Sequence, residues 1–268
     1  MSGWAEASTW SGDGLRREVF FFASGGVELY GSLYASAGVT RPLGLLACGS
    51  WGVEADRTEP LLRSAAIGMA KLGGAGLVFH HPGHGDSCGD PAAVGLEELS
   101  QGAVDALAEG SRRCPDVEWI LAGFVLGASI ACLARQQAGA GPLLFVQPEL
   151  QPGAYFKRLA SSRRPLAPGS SPREMMHAGK VPGMAYGYPV PRRIAEHGGA
   201  ADAAVEAALS AFTGEGAVIR HEAPDGPDLA PARFERIEVP GAWRFGAQNH
   251  PRLAAATVAW LERRSGDE

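Results

Sequence analysis

The sequence predicts an α/β protein built on a mostly parallel sheet, with helices on both faces and an inserted cap. Three observations carry that expectation. Short apolar runs alternate with segments of helical periodicity through residues 1–148, the pattern of successive βαβ units. The alternation then stops for a long stretch, 149–213, that is rich in Pro, Gly, Ser and Arg in its middle. Two further strand-like runs and a closing helix occupy 214–268. An interruption of that length is too long for a plain connection inside a compact domain, so 149–213 is expected to be a cap over the carboxyl ends of the strands, where open α/β sheets bind ligands.

The elements follow in order. REVFFFAS (17–24) and VELYGSLYAS (27–36), separated by Gly25 and Gly26, predict a hairpin. LGLLACGS (43–50), AGLVFHHP (75–82), EWILAGF (118–124) and PLLFVQP (142–148) are continuous apolar runs of the kind buried on both faces of a parallel sheet. Between them, Leu61, Ala65, Met69 and Leu72 share one face of a helix over 58–73, and Leu96, Leu99, Ala103 and Leu107 share one face over 94–110. AVIRHEA (217–223) and FERIEVPG (234–241) resume the strands. The last helix opens at HPRLAAATVAWLERR, where Pro251 suits a first helical position and Arg263 and Arg264 suit the last turn.

Bulk properties narrow the function. A net charge of -5, with Lys and Arg scattered along the chain, argues against a surface that neutralises nucleic-acid phosphates. No apolar stretch reaches the roughly 20 residues that span a bilayer, and the first residues lack the basic and apolar regions of a secretion signal, so a cytoplasmic protein is expected. Cys48, Cys88, Cys114 and Cys132 show no metal-type spacing and are expected to be free thiols. Neither a metal nor another cofactor is expected.

The functional question sits at GFVLGAS, residues 123–129. A strand running into a helix through G-x-S-x-G is the turn that exposes the nucleophile of α/β-hydrolases, its glycines leaving room for a strained central residue. Here the central residue is Val125, which has neither a lone pair nor an ionisable proton, so serine-type covalent catalysis at this position is excluded. The N–H of Leu126, at the head of the following helix, can still bind an anion or a carbonyl oxygen.

Other groups could supply chemistry. Ser50 and Cys48 end the run 43–50, the segment that ordinarily furnishes a second oxyanion N–H; Gly49 keeps that loop open and Trp51 could wall a pocket. As a substitute nucleophile Ser50, or failing that Cys48, needs a histidine in hydrogen-bond reach. A turn serine satisfying backbone groups is the alternative. His250, just before the last helix, is placed as a triad base or as that helix's N-cap. Asp225, in HEAPDGPD, is placed as a triad acid or as part of a turn. Together Asp225 and His250 could act as a general acid and base in a lyase, cyclase or isomerase reaction.

His80, His81 and His84 invite a metal reading, yet a structural role in the loop is expected. Tyr186 and Tyr188 in the cap could line the pocket. The basic pairs Lys157, Arg158 and Arg163, Arg164 read as a solvated face or as a cradle for an acidic ligand, such as phosphopantetheine or the surface of an acyl carrier protein.

The blocks ELYGSLYAS (28–36), LACGSWGVEADR (46–57), HHPGHGDSCGDP (80–91), LLFVQPEL (143–150), GKVPGMAYGYPVP (179–191) and PRLAAATVAWL (251–261) give the chain a resemblance over nearly its whole length. It resembles the second type of hydrolase associated with the exosortase A (PEP-CTERM sorting) system, within the α/β-hydrolase superfamily. The resemblance implies an α/β-hydrolase fold and a nonstandard elbow, since an arginine often replaces the serine in that group. This chain departs further, with Val125 at the elbow and Gly49 where the CHPFG-like block has histidine. The expected function is therefore the binding of an acyl or other small metabolite by a noncatalytic member or a non-hydrolytic enzyme, with Gly49, Trp51, Val125, Leu126 and Tyr186 lining the pocket. The alternative is an esterase or thioesterase with its nucleophile relocated to Ser50 or Cys48. A small-molecule ligand, no nucleic acid and no membrane span are expected; a homodimer is compatible with the sequence.

Overall fold

A computed structural model describes residues 8–12, 14–36, 38–139, 141–161, 184–185, 188–221, 230–240 and 250–266. All eight expected strands form. The hairpin is β2 (Leu15–Ser24) and β3 (Val27–Ser36), preceded by a strand the sequence reading missed, β1 (Ser8–Gly12). β4 (Leu43–Cys48), β5 (Ala75–Phe79), β6 (Glu118–Phe124), β7 (Leu143–Val146), β10 (Gly216–His221) and β11 (Glu235–Val239) supply the rest of the sheet, and β8 (Met184–Ala185) and β9 (Tyr188–Pro189) make a separate small hairpin.

The helices are α1 (Val53–Lys71), α2 (Leu96–Arg113), α3 (Gly127–Ala138), α4 (Pro152–Ser161), α5 (Arg192–Glu196), α6 (Gly198–Ala211) and α7 (His250–Gly266). Strand order in the nine-stranded sheet is β1-β2-β3-β5-β4-β6-β7-β10-β11. The first three strands and the β3–β5 junction are antiparallel, and every pairing from β5 to β11 is parallel.

The continuous apolar runs are explained by burial on both faces. β5 and β7 are buried at every residue, and β6 at every residue but Glu118. On one face Leu61, Leu62, Ala65, Ala66 and Met69 of α1 meet Leu253, Trp260 and Leu261 of α7 and the sheet residues Leu45, Val78, Ile120 and Leu144. On the other, α2 and α3 cover Leu46, Leu77, Leu121 and Phe145, and α6 adds Val205, Ala208 and Leu209. No helix among the described residues is long and apolar enough to cross a membrane.

Boundaries differ from the sequence expectation in one instructive way. The runs 43–50 and 75–82 leave the sheet at Cys48 and Phe79, so their last residues are loop, at the carboxyl edge of the sheet. Helix α1 correspondingly begins at Val53, five residues earlier than its apolar periodicity predicts, because its first turn is polar: Glu54 and Asp56 face the positive end of the helix dipole. The segment 149–213 contains α4, the β8–β9 hairpin, α5 and α6. Residues 162–183 of it lie outside the described residues.

Helix α1 approaches β5 closely enough that a Cβ at Gly76 would collide with the backbone of Ala66. Backbone cannot yield as a side chain does. Gly76→Ala is therefore expected to cost about 3 kcal/mol, against a change within about 0.5 kcal/mol for Gly38→Ala, where nothing lies within 4 Å of the added atom. Urea unfolding midpoints of the two variants check the difference.

Candidate active site

The site is built where β4 and β6 end side by side. Cys48 is registered opposite Gly123, so the loop after β4 and the turn after β6 emerge together. Gly123 lies so close to Ala128, and Gly127 to the carbonyl oxygens of Cys48 and Gly49, that a Cβ at either would clash with backbone. Between them Val125 has φ 54°, in the left-handed region. A β-branched residue there is an outlier that costs about 1–2 kcal/mol. Three backbone bonds enforce it: Val125 N–H donates to Val146 O (3.0 Å), and Val125 O accepts from Ala128 N–H (3.1 Å) and Glu149 N–H (2.9 Å). The valine side chain is buried, and the Leu126 N–H beside it meets no acceptor among the described residues. The turn thus holds a strained residue with an apolar side chain between β6 and α3.

Beside the elbow, the loop after β4 is held from below by His81. Its Nε2 lies 2.9 Å from the Gly49 carbonyl oxygen, which can only accept, so Nε2 carries the proton and Nδ1 is left without a partner. Burial pushes the imidazole down to a pKa of about 4, so it is neutral near pH 7. His80 stacks on Tyr30, its Nδ1 accepting from the Asp86 N–H, and His84 stacks on Tyr188. Among the described residues no group of three His, Cys, Asp or Glu side chains could hold a metal ion.

Ser50 is buried and its Oγ donates to Glu54 Oε2 (3.2 Å), not to a histidine. The same carboxyl oxygen accepts from Tyr155 OH (2.8 Å), which reaches across from α4. Sequence reading missed both Glu54 and Tyr155, since a glutamate in a first helical turn and a tyrosine in an amphipathic helix look like surface and core. Burial raises the Glu54 carboxyl pKa; the hydroxyls of Tyr155 and Ser50 oppose that shift, Glu149 adds to it, and Arg158 opposes it. The Cys48 thiol is fully buried and pushed up to about 12, which leaves no thiolate near neutral pH.

Trp51 is buried at the start of the loop that leads into α1. Its indole N–H donates to Pro189 O (3.1 Å) and its ring packs against His84 and Phe156, tying β9 and α4 to the core. Of the basic residues in 149–213, Arg158 is paired with Glu149. Arg163 and Arg164 lie outside the described residues, as do Asp225 and Tyr186; for His250 the backbone opens α7 but the side chain is not described. The structure brings Ser50, Gly49, Val125 and Leu126 together and leaves Asp225, His250 and Tyr186 unplaced.

At the ends of β7 and β10 lie two more groups that the sequence reading passed over. Gln147 has φ 50°; its N–H donates to Ile219 O and its Oε1 accepts from the His221 N–H (both 2.8 Å). His221 is fully buried and its Nδ1 lies 3.2 Å from Val239 O. These bonds fix the carboxyl edge of the sheet on the far side of the elbow.

A cavity of about 340 Å³ reaches Gly49 and Ser50 from the flank, lined also by Asp56, Arg63, His81 and His84. It does not touch Trp51, Val125 or Leu126.

With this geometry in hand, the chain is seen to adopt the α/β-hydrolase fold. Est1E of Butyrivibrio proteoclasticus with ferulic acid bound superposes with a TM-score of 0.65 at 15% identity, covering 93% of this chain and 100% of that one. An alpha-beta serine hydrolase homologue from Coxiella burnetii gives 0.55 at 13%, over 92% and 96%. A point mutant of the haloalkane dehalogenase DatA from Agrobacterium tumefaciens gives 0.58 at 13%, over 93% and 98%. No family model matches the sequence, and no curated protein does. At such identities the likeness is one of fold.

Truncating Val125 removes the β-branch, which is the part of its side chain that adds most to the strain at φ 54°, while it removes buried carbon; truncating Val146, also buried but in a strand, only removes carbon. Val125→Ala should thus cost less than about 1 kcal/mol and Val146→Ala about 2 kcal/mol or more in chemical denaturation. For His81, the folded pKa of about 4 lies below the ordinary 6.5. Below pH 6.5 the unfolded chain takes up a proton that the folded chain refuses, so stability falls as pH drops from 6.5 towards 4, by up to ~3 kcal/mol. His81→Asn should flatten that stretch of the stability profile.

Proposed function

We propose that this protein binds an acyl or other small carbonyl metabolite at the elbow and does not hydrolyse it through a covalent serine intermediate. The observation that carries the reading is Val125 at φ 54°: the strained turn and the uncommitted Leu126 N–H persist where the attacking group is missing. In that turn an oxyanion-type donor can polarise or simply hold a carbonyl oxygen, and a valine in place of a hydroxyl gives an apolar contact for the carbon beside it. The protein then acts as a noncatalytic binder or as a non-hydrolytic enzyme. The segment 149–213 serves as its cap, with Tyr155 and Phe156 buried against the core and Tyr188 bonded to Asp56 of α1 as its anchors. The order of sequence blocks supports placing it with the exosortase-associated hydrolases, whose elbows are also nonstandard.

Two measurements test the reading. The purified protein should remain unlabelled by a fluorophosphonate and should turn over short p-nitrophenyl esters at no more than the roughly 10³-fold over water that an oxyanion hole alone supplies. Mass spectrometry of the native protein should find a copurified carbonyl compound. Robust ester turnover abolished by Ser50→Ala would instead establish a relocated nucleophile.

A further inference from the structure

The described residues contain one buried carboxyl that the fold does not use fully. Glu54 is 5% exposed, in the first turn of α1, with Oε2 receiving both Ser50 Oγ and Tyr155 OH. Its other oxygen, Oε1, has no hydrogen-bond partner among the described residues, yet it is not one of the buried unpartnered atoms sealed from solvent. A structural carboxylate buried to this degree normally fills both oxygens, because each unmet acceptor costs about 1–3 kcal/mol. Glu54 is also at the right place. Ser50 stands in the loop packed against Gly127 of the elbow, and Glu149, whose charge is felt at Glu54, donates its N–H to the Val125 carbonyl.

We propose that Glu54 is a ligand-contacting residue of this site, presenting its free oxygen as a carboxylic-acid O–H to the carbonyl oxygen of an ester, thioester or ketone held at the elbow. The inference rests on the carbonyl-binding reading above and adds to it the group that supplies the second hydrogen bond beside the Leu126 N–H. Ser50 and Tyr155 are positioning residues: they fix Oε2 and leave Oε1 unpaired. The groups that face Glu54 are Ser50, Tyr155 and Arg158 of α4, and Glu149 after β7. Burial is the largest influence among them and holds the proton on the carboxyl to higher pH than usual. Neutral Glu54 can donate; ionised Glu54 repels a carbonyl oxygen. Binding should therefore strengthen as pH falls through the raised value.

The test uses the full-length protein and 2-nonanone labelled with ¹³C at its carbonyl. Affinity and the infrared C=O stretch of the bound ketone are followed from about pH 8 to about pH 5. Wild type should bind more tightly at the acid end, with the carbonyl band displaced to lower frequency. Glu54→Gln, which donates but does not titrate, should bind with no pH dependence, and Glu54→Leu should bind about fivefold more weakly with the displacement reduced, the worth of one neutral hydrogen bond. Tyr155→Phe removes a donor to the ionised carboxyl and should move the midpoint of the wild-type profile upwards, a readout that survives if the Glu54 variants fail to fold. The same pH profile in Glu54→Gln as in wild type, or an unshifted midpoint in Tyr155→Phe, would overturn the assignment of Glu54 alone. No binding of the ketone to wild type at any pH would overturn the carbonyl-binding reading and this inference with it.

Discussion

The approach of Gly127 to the carbonyl oxygens of Cys48 and Gly49 is the constraint on which the site depends. No side chain fits there. The first turn of α3 can therefore sit directly on the end of β4, and the β4–β6 register, Cys48 opposite Gly123, brings the two loops of the site out of the sheet at the same level. Anything larger than glycine would lift the helix, separate the Leu126 N–H from the Ser50 loop, and open the space that His81 now closes from below through Gly49. The small residues along α3, Ala128, Ala131 and Ala134, all buried, extend the same close seating to the rest of the helix.

From that junction the neighbouring segments are tied on by side chains that each do two jobs. Tyr155 closes α4 over the core and satisfies Glu54; Trp51 packs on Phe156 and donates to Pro189; Tyr188 stacks on His84 and bonds Asp56 of α1. Aromatic rings bring large apolar area with one polar tip each, so they can cover a site without leaving a buried donor unmet. The consequence is a closed neighbourhood: Ser50, Trp51, Glu54 and Tyr155 are all at least nine-tenths buried. In such a place the carboxyl of Glu54 behaves unlike a surface glutamate, because few water molecules remain to stabilise its charge.

The fold was largely legible in the sequence because the physics that sets it is local and repeated. Apolar runs mark strands covered on both faces, and three-and-four spacings mark the helices that cover them, so β2 to β7, β10 and β11 could be placed to within a few residues. β1 was not legible: STWSG has no apolar alternation and owes its strand to pairing with β2. The elbow was visible since its glycines are required by geometry. Glu54 was invisible for the opposite reason. A glutamate at a helix start has an ordinary explanation in the helix dipole, and only the arrival of Tyr155, 101 residues away, makes it a buried acid. Likewise Ser50 offered a hydroxyl in the correct loop, but its partner proved to be that carboxyl. Contacts of long sequence separation carry no local signature, and the site is made of them.

Val125 sits in a strained turn that its backbone surroundings hold in place. If the strained turn existed to aim a serine, losing the serine would remove the reason for the strain, and a β-branched residue would be expected to relax it. The turn is instead retained at φ 54°, because the bonds from Val125 to Val146, Ala128 and Glu149 and the contacts at Gly123 and Gly127 each require it. Relaxing one residue would break several interactions together, each worth about as much as the strain itself. The backbone donors at the head of α3 are consequently preserved whatever side chain occupies position 125. The turn and the Leu126 N–H are thus held by backbone contacts that do not involve the side chain at position 125.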